Sequence, residues 1–167
     1  MTKGVLVLPI LSSDFSSRGP VDLVDIQSMA QPPYKWIMVY QDHLTKFYVL
    51  LPLTSKCAAE VAHQLLDIFL LFGAPAILQS DNSYAFTAAI LNELKVVWPE
   101  LVMVNGKPPH PESQESVERV NGDINDILVA WMNDHNTSDW TIGIKFVQCL
   151  KNSSPHSKTG RAPYARQ

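Results

Sequence analysis

Three acidic residues could do chemistry together in this chain. Asp22 lies in a short β-branched run at 21–26. Asp81 follows an apolar run at 76–80, and Glu118 stands where a long helical pattern begins, near Ser116. Carboxylates gathered with no Lys or Arg between them repel one another, and cations relieve that repulsion. An all-oxygen ligand set selects Mg²⁺ or Mn²⁺ over zinc or copper. Two such ions roughly 3.5–4 Å apart form the clamp used for in-line displacement at a phosphodiester. Spacing alone does not single these residues out, because 16 acidic residues supply many triples. Taken by itself, Asp22 is better explained as an ordinary strand acid. Asp25 is an alternative to it; residues three apart on a strand point to opposite faces, so only one of the two can serve.

The elements that must position these acids read in the order β-β-β-α-β-α-β-α-α. Strands are expected at 21–26, 34–40 and 47–53, and their mainly apolar runs predict a sheet covered on both faces. Ser55 offers a helix N-cap, with Val61, Leu65, Ile68, Phe69 and Phe72 on one stripe, and Gly73 and Pro75 end that helix. A fourth strand at 76–80 delivers Asp81 at its end. A helix at 85–97 comes next, with Phe86, Ile90, Leu91 and Leu94 inward, and then a fifth strand at 101–104. The proline-rich stretch 106–115 reads as a stiff loop. Val117, Val120, Ile124, Ile127, Leu128 and Trp131 give the next helix its 3.6-residue period. A shorter helix at 140–150 closes the core, and 152–167 reads as an irregular tail. Parallel neighbours in such a mixed sheet present their ends on one side, so two strand acids can meet there while a helix lays a third across them.

A chain of 167 residues, 46% hydrophobic and 17% charged, holds one domain with a sizeable core and is not a disordered segment. Its net charge of −3 argues against gripping nucleic acid over the whole surface. The charge is uneven: 140–167 carries five basic residues and no acidic one, leaving eight basic and all 16 acidic residues to the rest. Cys57 and Cys149 have neither disulfide-framework nor zinc-ligand spacing, so a reducing, intracellular setting is expected. The most apolar stretch, 61–78, is too interrupted to span a membrane. The opening MTKGVLVLPIL is expected to form an edge strand.

The sequence around each acid narrows the choice. VDLVDIQ (21–27) resembles the first-aspartate strand of retroviral and Ty3/gypsy-type integrase catalytic cores, and VYQDHLTKFYVLLPL (39–53) their next two strands. LFGAPAILQSDNSYAF (71–86) is similar to that family's "FG-P…-SDNG–F" passage, and HPESQESVERVNGDI (110–124) to its "HPQSQG-VER-N" passage. The resemblance covers the chain from about Pro20 to its end. Within the family, the segments 65–82 and 120–141 look closest to domesticated, transposable-element-derived integrase-like domains of KRAB- and SCAN-containing vertebrate proteins. It implies an α/β, ribonuclease H-like fold, a five-stranded mixed sheet flanked by helices. It also implies Asp22, Asp81 and Glu118 as catalytic ligands of two Mg²⁺ (or Mn²⁺) ions. One ion would activate a water or a DNA 3′-hydroxyl, and the other would stabilise the leaving oxygen. Asn82, His110, Arg119 and Asn121 match positions near nucleic acid, although a turn hydrogen bond for His110, a salt bridge for Arg119 and a helix brace for Asn121 explain them as well. Asp81 and Glu118 are 37 positions apart, one more than is usual in the family, and the Trp98-Pro99 turn is where an insertion fits.

Several positions depart from the family pattern. Ser83 replaces a glycine that could take positive φ. Glu112 and Glu115 replace a glutamine and a glycine, adding repulsion and, at 115, removing loop freedom. Gly122 and Asn125 stand where basic residues often face DNA. Two functions therefore compete: a DNA-processing domain performing two-metal cleavage and strand transfer, or a domesticated, catalytically weak module that binds nucleic acid or protein. The expected organisation is an extension at 1–19, the core at 20–155, and a basic tail at 156–167 cut from a longer chain with other domains. DNA, a second copy of the chain as homodimer, and a nuclear location complete the expectations. Trp36, Trp98, Trp131 and Trp140 are expected to pack in the core rather than stack on bases.

Overall fold

The computed structural model describes residues 17–26, 29, 31–42, 44–80, 83–106, 111–154 and 162, with the side chains of 111–118 outside that description. Five strands form one mixed sheet: β1 (Arg18–Asp25), β2 (Trp36–Gln41), β3 (Tyr48–Leu53), β4 (Ile77–Gln79) and β5 (Val104–Asn105). The spatial order is β3-β2-β1-β4-β5, with β1, β2 and β3 antiparallel and β1, β4 and β5 parallel. Four helices, α1 (Ala58–Phe72), α2 (Tyr84–Val97), α3 (Pro111–Asp134) and α4 (Trp140–Ser153), complete the expected element order. No helix among the described residues is long and apolar enough to cross a membrane.

Strand alternation divides the core into two layers. Val21, Met38, Tyr40 and Leu53 face α1 and α2, where Val61, Leu65, Phe69, Ile90 and Leu94 are buried against them. Ile37, Val39, Tyr48 and Leu50 face α3 and α4, where Ile124, Leu128, Trp140, Ile144 and Val147 are buried. The sheet is thus covered on both faces, as its apolar strands require. Gly73 closes α1 at φ 90° and ψ 153°, donating its N–H to the Phe69 carbonyl, so the predicted glycine stop takes a positive φ that favours glycine. Gly143 lets α4 lie close to α3: a Cβ there would stand 2.7 Å from Leu128 Cδ1 and 3.0 Å from Trp131 Cε3.

Five local expectations need correction. Ser55 is not the α1 N-cap; Cys57 holds that position. Instead Glu60, in the first turn, reaches back to accept from the Thr54 and Ser55 N–H groups at 2.7 and 3.1 Å and from both hydroxyls. Phe72 leaves the buried stripe, being 37% exposed and packed on the Phe47 ring. The fifth strand covers Val104–Asn105 rather than 101–104, because β4 offers a ladder only from Ile77, opposite Val104; Leu101 and Met103 are buried without strand pairing. Helix α3 starts at Pro111, not near Ser116, since proline at a first helical position lacks only an N–H that the helix leaves unused. Asn152 is not in an irregular tail: α4 runs to Ser153, and Asn152 is fully buried. The expected edge strand at the N-terminus and the tail at 156–167 lie outside the described residues, apart from residue 162.

The tryptophans divide. Trp98 and Trp140 are buried, as expected, while Trp36 is half-buried with the Lys56 ammonium 4.4 Å from its ring centroid. Trp131 is half-buried and stacks on both His135 and Phe146, its ring centroid 4.3 and 5.2 Å from theirs.

Burial pushes the Glu60 carboxyl up, but the hydrogen bonds from Thr54 and Ser55 outweigh it and hold the group below the ordinary 4.5. A depressed carboxyl contributes stability above its unfolded value and loses it as pH falls through the folded value. Glu60→Gln is therefore expected to lower stability at neutral pH and to flatten the loss on acidification below about 4.5. Denaturant melts of both proteins across that range check this; parallel acid limbs would contradict it.

Candidate active site

Asp22 occupies the middle of β1, the central strand, with Val39 of β2 opposite it. Directly opposed residues share a face, and Val39 belongs to the layer beneath α3 and α4. Val24, two residues on, packs into the same layer, whereas Val21 and Leu23 lie in the other. Asp22 is therefore on the α3 side of the sheet, and it is only 7% exposed. Asp25 falls on the opposite parity, opposite Trp36, and is exposed. The two acids thus take opposite faces, as their spacing predicts, and Asp22 is the one that shares its face with the helix containing Glu118.

The second element is the parallel pairing of β1 with β4, in register Arg18–Ile77, Gly19–Leu78 and Pro20–Gln79. Asp22 is two residues beyond Pro20, and Asp81 is two residues beyond Gln79 in sequence. Asp81, Asn82 and His110 lie outside the described residues. The ladder is flanked by a bond from Arg18 Nη1 to Gln79 Oε1 at 2.9 Å, a pair 61 positions apart that no local pattern announces. Ser80, the last described residue before the gap, is buried.

Helix α3 supplies the third element. Val120, Ile124, Ile127 and Leu128 pack on the Asp22 face of the sheet, and Glu118 lies in the same helix, its side chain outside the description. Arg119 is exposed. Asn121, one turn beyond Glu118, is half-buried, and its Oδ1 has no hydrogen-bond partner among the described residues. Among the described residues no group of three His, Cys, Asp or Glu could hold a metal ion, and two of the three candidate ligands fall outside that set.

Two departures from the family pattern change meaning in the structure. Ser83 sits at φ −169° and ψ 158°, an extended conformation open to any residue, so no glycine-like freedom is needed. Its hydroxyl accepts from the Phe86 N–H at 3.0 Å, making it the N-cap of α2 immediately after Asp81-Asn82. Glu115 lies within α3, so it cannot remove freedom from a loop hinge at that position.

The central antiparallel hairpin, the parallel β1–β4–β5 half and the helices on both faces define a ribonuclease H-like fold of the kind found in integrase catalytic cores. The catalytic core domain of BIV integrase superposes with a TM-score of 0.64 at 23% identity, covering 90% of this chain and 93% of that one. The HTLV-2 integrase catalytic core domain, in a trimeric form in complex with magnesium, gives 0.67 at 18% identity, covering 96% and 98%. In sequence, the chain is 36% identical over 162 residues to human KRAB-A domain-containing protein 2, covering 97% of this chain and 33% of that protein. Over 133 residues it is 26% identical to the Transposon Tf2-3 polyprotein of Schizosaccharomyces pombe, covering 78% of this chain and 10% of the polyprotein. The chain thus spans about a third of one relative and a tenth of the other. No family model matches it. The chain is therefore integrase-like in fold, and in sequence it is similar to part of a KRAB-A domain-containing protein and part of a transposon polyprotein.

Because Ser83 caps α2, Ser83→Ala is expected to cost about 1 kcal/mol and Ser83→Gly only a few tenths. Chemical denaturation distinguishes them; equal losses would mean that a lost cap is not the cause.

Proposed function

We propose that the chain is a DNA-processing domain that cleaves and joins phosphodiesters, with Asp22, Asp81 and Glu118 as its metal-binding acids. The observation that carries this is the buried Asp22 carboxylate on the central strand, on the face crossed by the helix that contains Glu118. A buried carboxylate fits a hard cation, because its desolvation is offset only by charge or hydrogen bonding. Mg²⁺ or Mn²⁺, when bound, supplies positive charge against the charge that develops on a phosphoryl group in displacement. The chain's own contribution is placement. The β1–β4 register puts Asp22 and the segment leading to Asp81 on adjacent parallel strands, and the Ser83 cap fixes where that segment turns into α2. A nuclear location, where DNA is the substrate, bounds near 20 and 155, and attachment to other segments of a longer protein complete the proposal.

One observation favours the second reading, a binding module without turnover. Helix α3 has six acidic residues and one basic one, and Asp123, Asp126, Gly122 and Asn125 are exposed on it. That surface repels a polyanion rather than attracting it.

The test combines metal binding with chemistry. Mn²⁺ is expected to raise the melting temperature of the wild-type chain and not of Asp22→Asn, Asp81→Asn or Glu118→Gln. Nicking or strand transfer on short DNA duplexes is expected in the wild type and lost in all three. Activity unchanged in the variants would sink the enzyme reading. A folded wild-type chain that cleaves none of these duplexes, whether or not it binds them, would establish the second reading instead.

We also propose that the chain pairs through α4. Ile142, Phe146 and Leu150, spaced four apart, are 42%, 50% and 51% exposed and form one apolar stripe on that helix. A stripe of this kind can cover itself across a twofold axis. Sedimentation is expected to give a dimer for the wild type and a monomer for Phe146→Asp. A wild-type monomer at high concentration would contradict this.

A further inference from the structure

Edge strands present unpaired N–H and C=O groups that recruit other strands. In this sheet β3 is one edge, and its sequence Tyr-Val-Leu-Leu-Pro-Leu is apolar enough to be a hazard there. Alternation along β3 gives Tyr48, Leu50 and Pro52 outward-pointing backbone groups, while the intervening residues bond to β2. Each outward N–H position is closed in a different way. The Tyr48 N–H donates to Asn152 Oδ1 at 2.7 Å, and Asn152 Nδ2 donates back to the Tyr48 carbonyl at 2.8 Å. The Leu50 N–H donates to Gln148 Oε1 at 2.8 Å. Pro52 has no N–H to offer.

Asn152 and Gln148 are four residues apart on α4, so one helix face presents two amides with the spacing of successive outward strand positions. Asn152 exchanges both of its hydrogen bonds with a single residue, as a neighbouring strand residue would, and it is fully buried. A buried amide left without partners is costly, so its engagement ties α4 to β3 alongside the packing of Ile144 and Val147. The opposite edge, β5, is only two residues long and offers little to pair with.

We propose that Gln148 and Asn152 form a latch by which α4 takes the place of a sixth strand and prevents β3 from pairing with β3 of a second copy. The latch directs association of the chain away from its sheet. It does not depend on the metal-site reading, because it lies at the opposite edge of the sheet from β4 and β5.

Residue-resolved amide hydrogen exchange and sedimentation on the full chain test this. In the wild type, the Tyr48 and Leu50 amides are expected to be protected like those of β2. In Gln148→Met, the Leu50 amide is expected to exchange about five- to tenfold faster, the loss of one hydrogen bond, with Tyr48 unchanged. The same variant is expected to form species larger than the wild type as concentration rises, and Asn152→Leu more so. An unprotected Leu50 amide in the wild type would overturn the latch. So would Gln148→Met with lost protection and wild-type association. Should Asn152→Leu fail to fold, Gln148→Met decides alone.

Discussion

A carboxylate buried at 7% exposure in the central strand of an otherwise apolar sheet is the constraint around which this fold is arranged. Asp22 sits between Val21 and Leu23, which belong to one hydrophobic layer, and shares its face with Val24 and Val39 in the other. An apolar side chain at that position would extend the α3–α4 layer without interruption. Isolated charges do not persist in such surroundings unless something compensates them. Helices α3 and α4 cover that face, so the groups that compensate the carboxylate lie among those helices and the strands beside β1. On the function proposed above, that position is held for chemistry rather than for packing.

The remaining architecture serves that placement. β1 must be central, because it alone has antiparallel β2 on one side and parallel β4 on the other. Parallel pairing needs a crossover, and the chain supplies it with β2, β3 and α1 between β1 and β4. Ser83 then starts α2 within three residues of Ser80, so little chain is free between strand and helix. The integrase cores of BIV and HTLV-2 share this plan at 23% and 18% identity, which shows that the topology tolerates wide change in sequence.

Much of this was legible in the residues. Two-residue alternation and 3.6-residue periodicity gave all nine elements in order, and spacing alone put Asp22 and Asp25 on opposite faces. Part of what sequence reading misses shares one cause: a polar side chain bonding to backbone away from the position where it is looked for. Glu60 caps from within the helix, Ser83 caps where the family pattern has a glycine, and Asn152 bonds to Tyr48 across 104 positions, a contact that no local pattern announces. The start of α3 was misjudged for a different reason. Proline reads as a breaker in sequence, yet it is at home in the first turn, and only the helical periodicity downstream of it separates the two cases.

Helix α4 shows how polarity on two sides of one helix can set how a chain associates. Its inner amides close the backbone of β3, while Ile142, Phe146 and Leu150 leave its outer face apolar. Backbone pairing between copies is non-specific in register, because any extended segment can add to an open edge. Side-chain packing between helices is specific, because it requires complementary stripes. On the two proposals above, closing the edge and opening the stripe act together: the first would remove the indiscriminate mode of contact and leave the selective one.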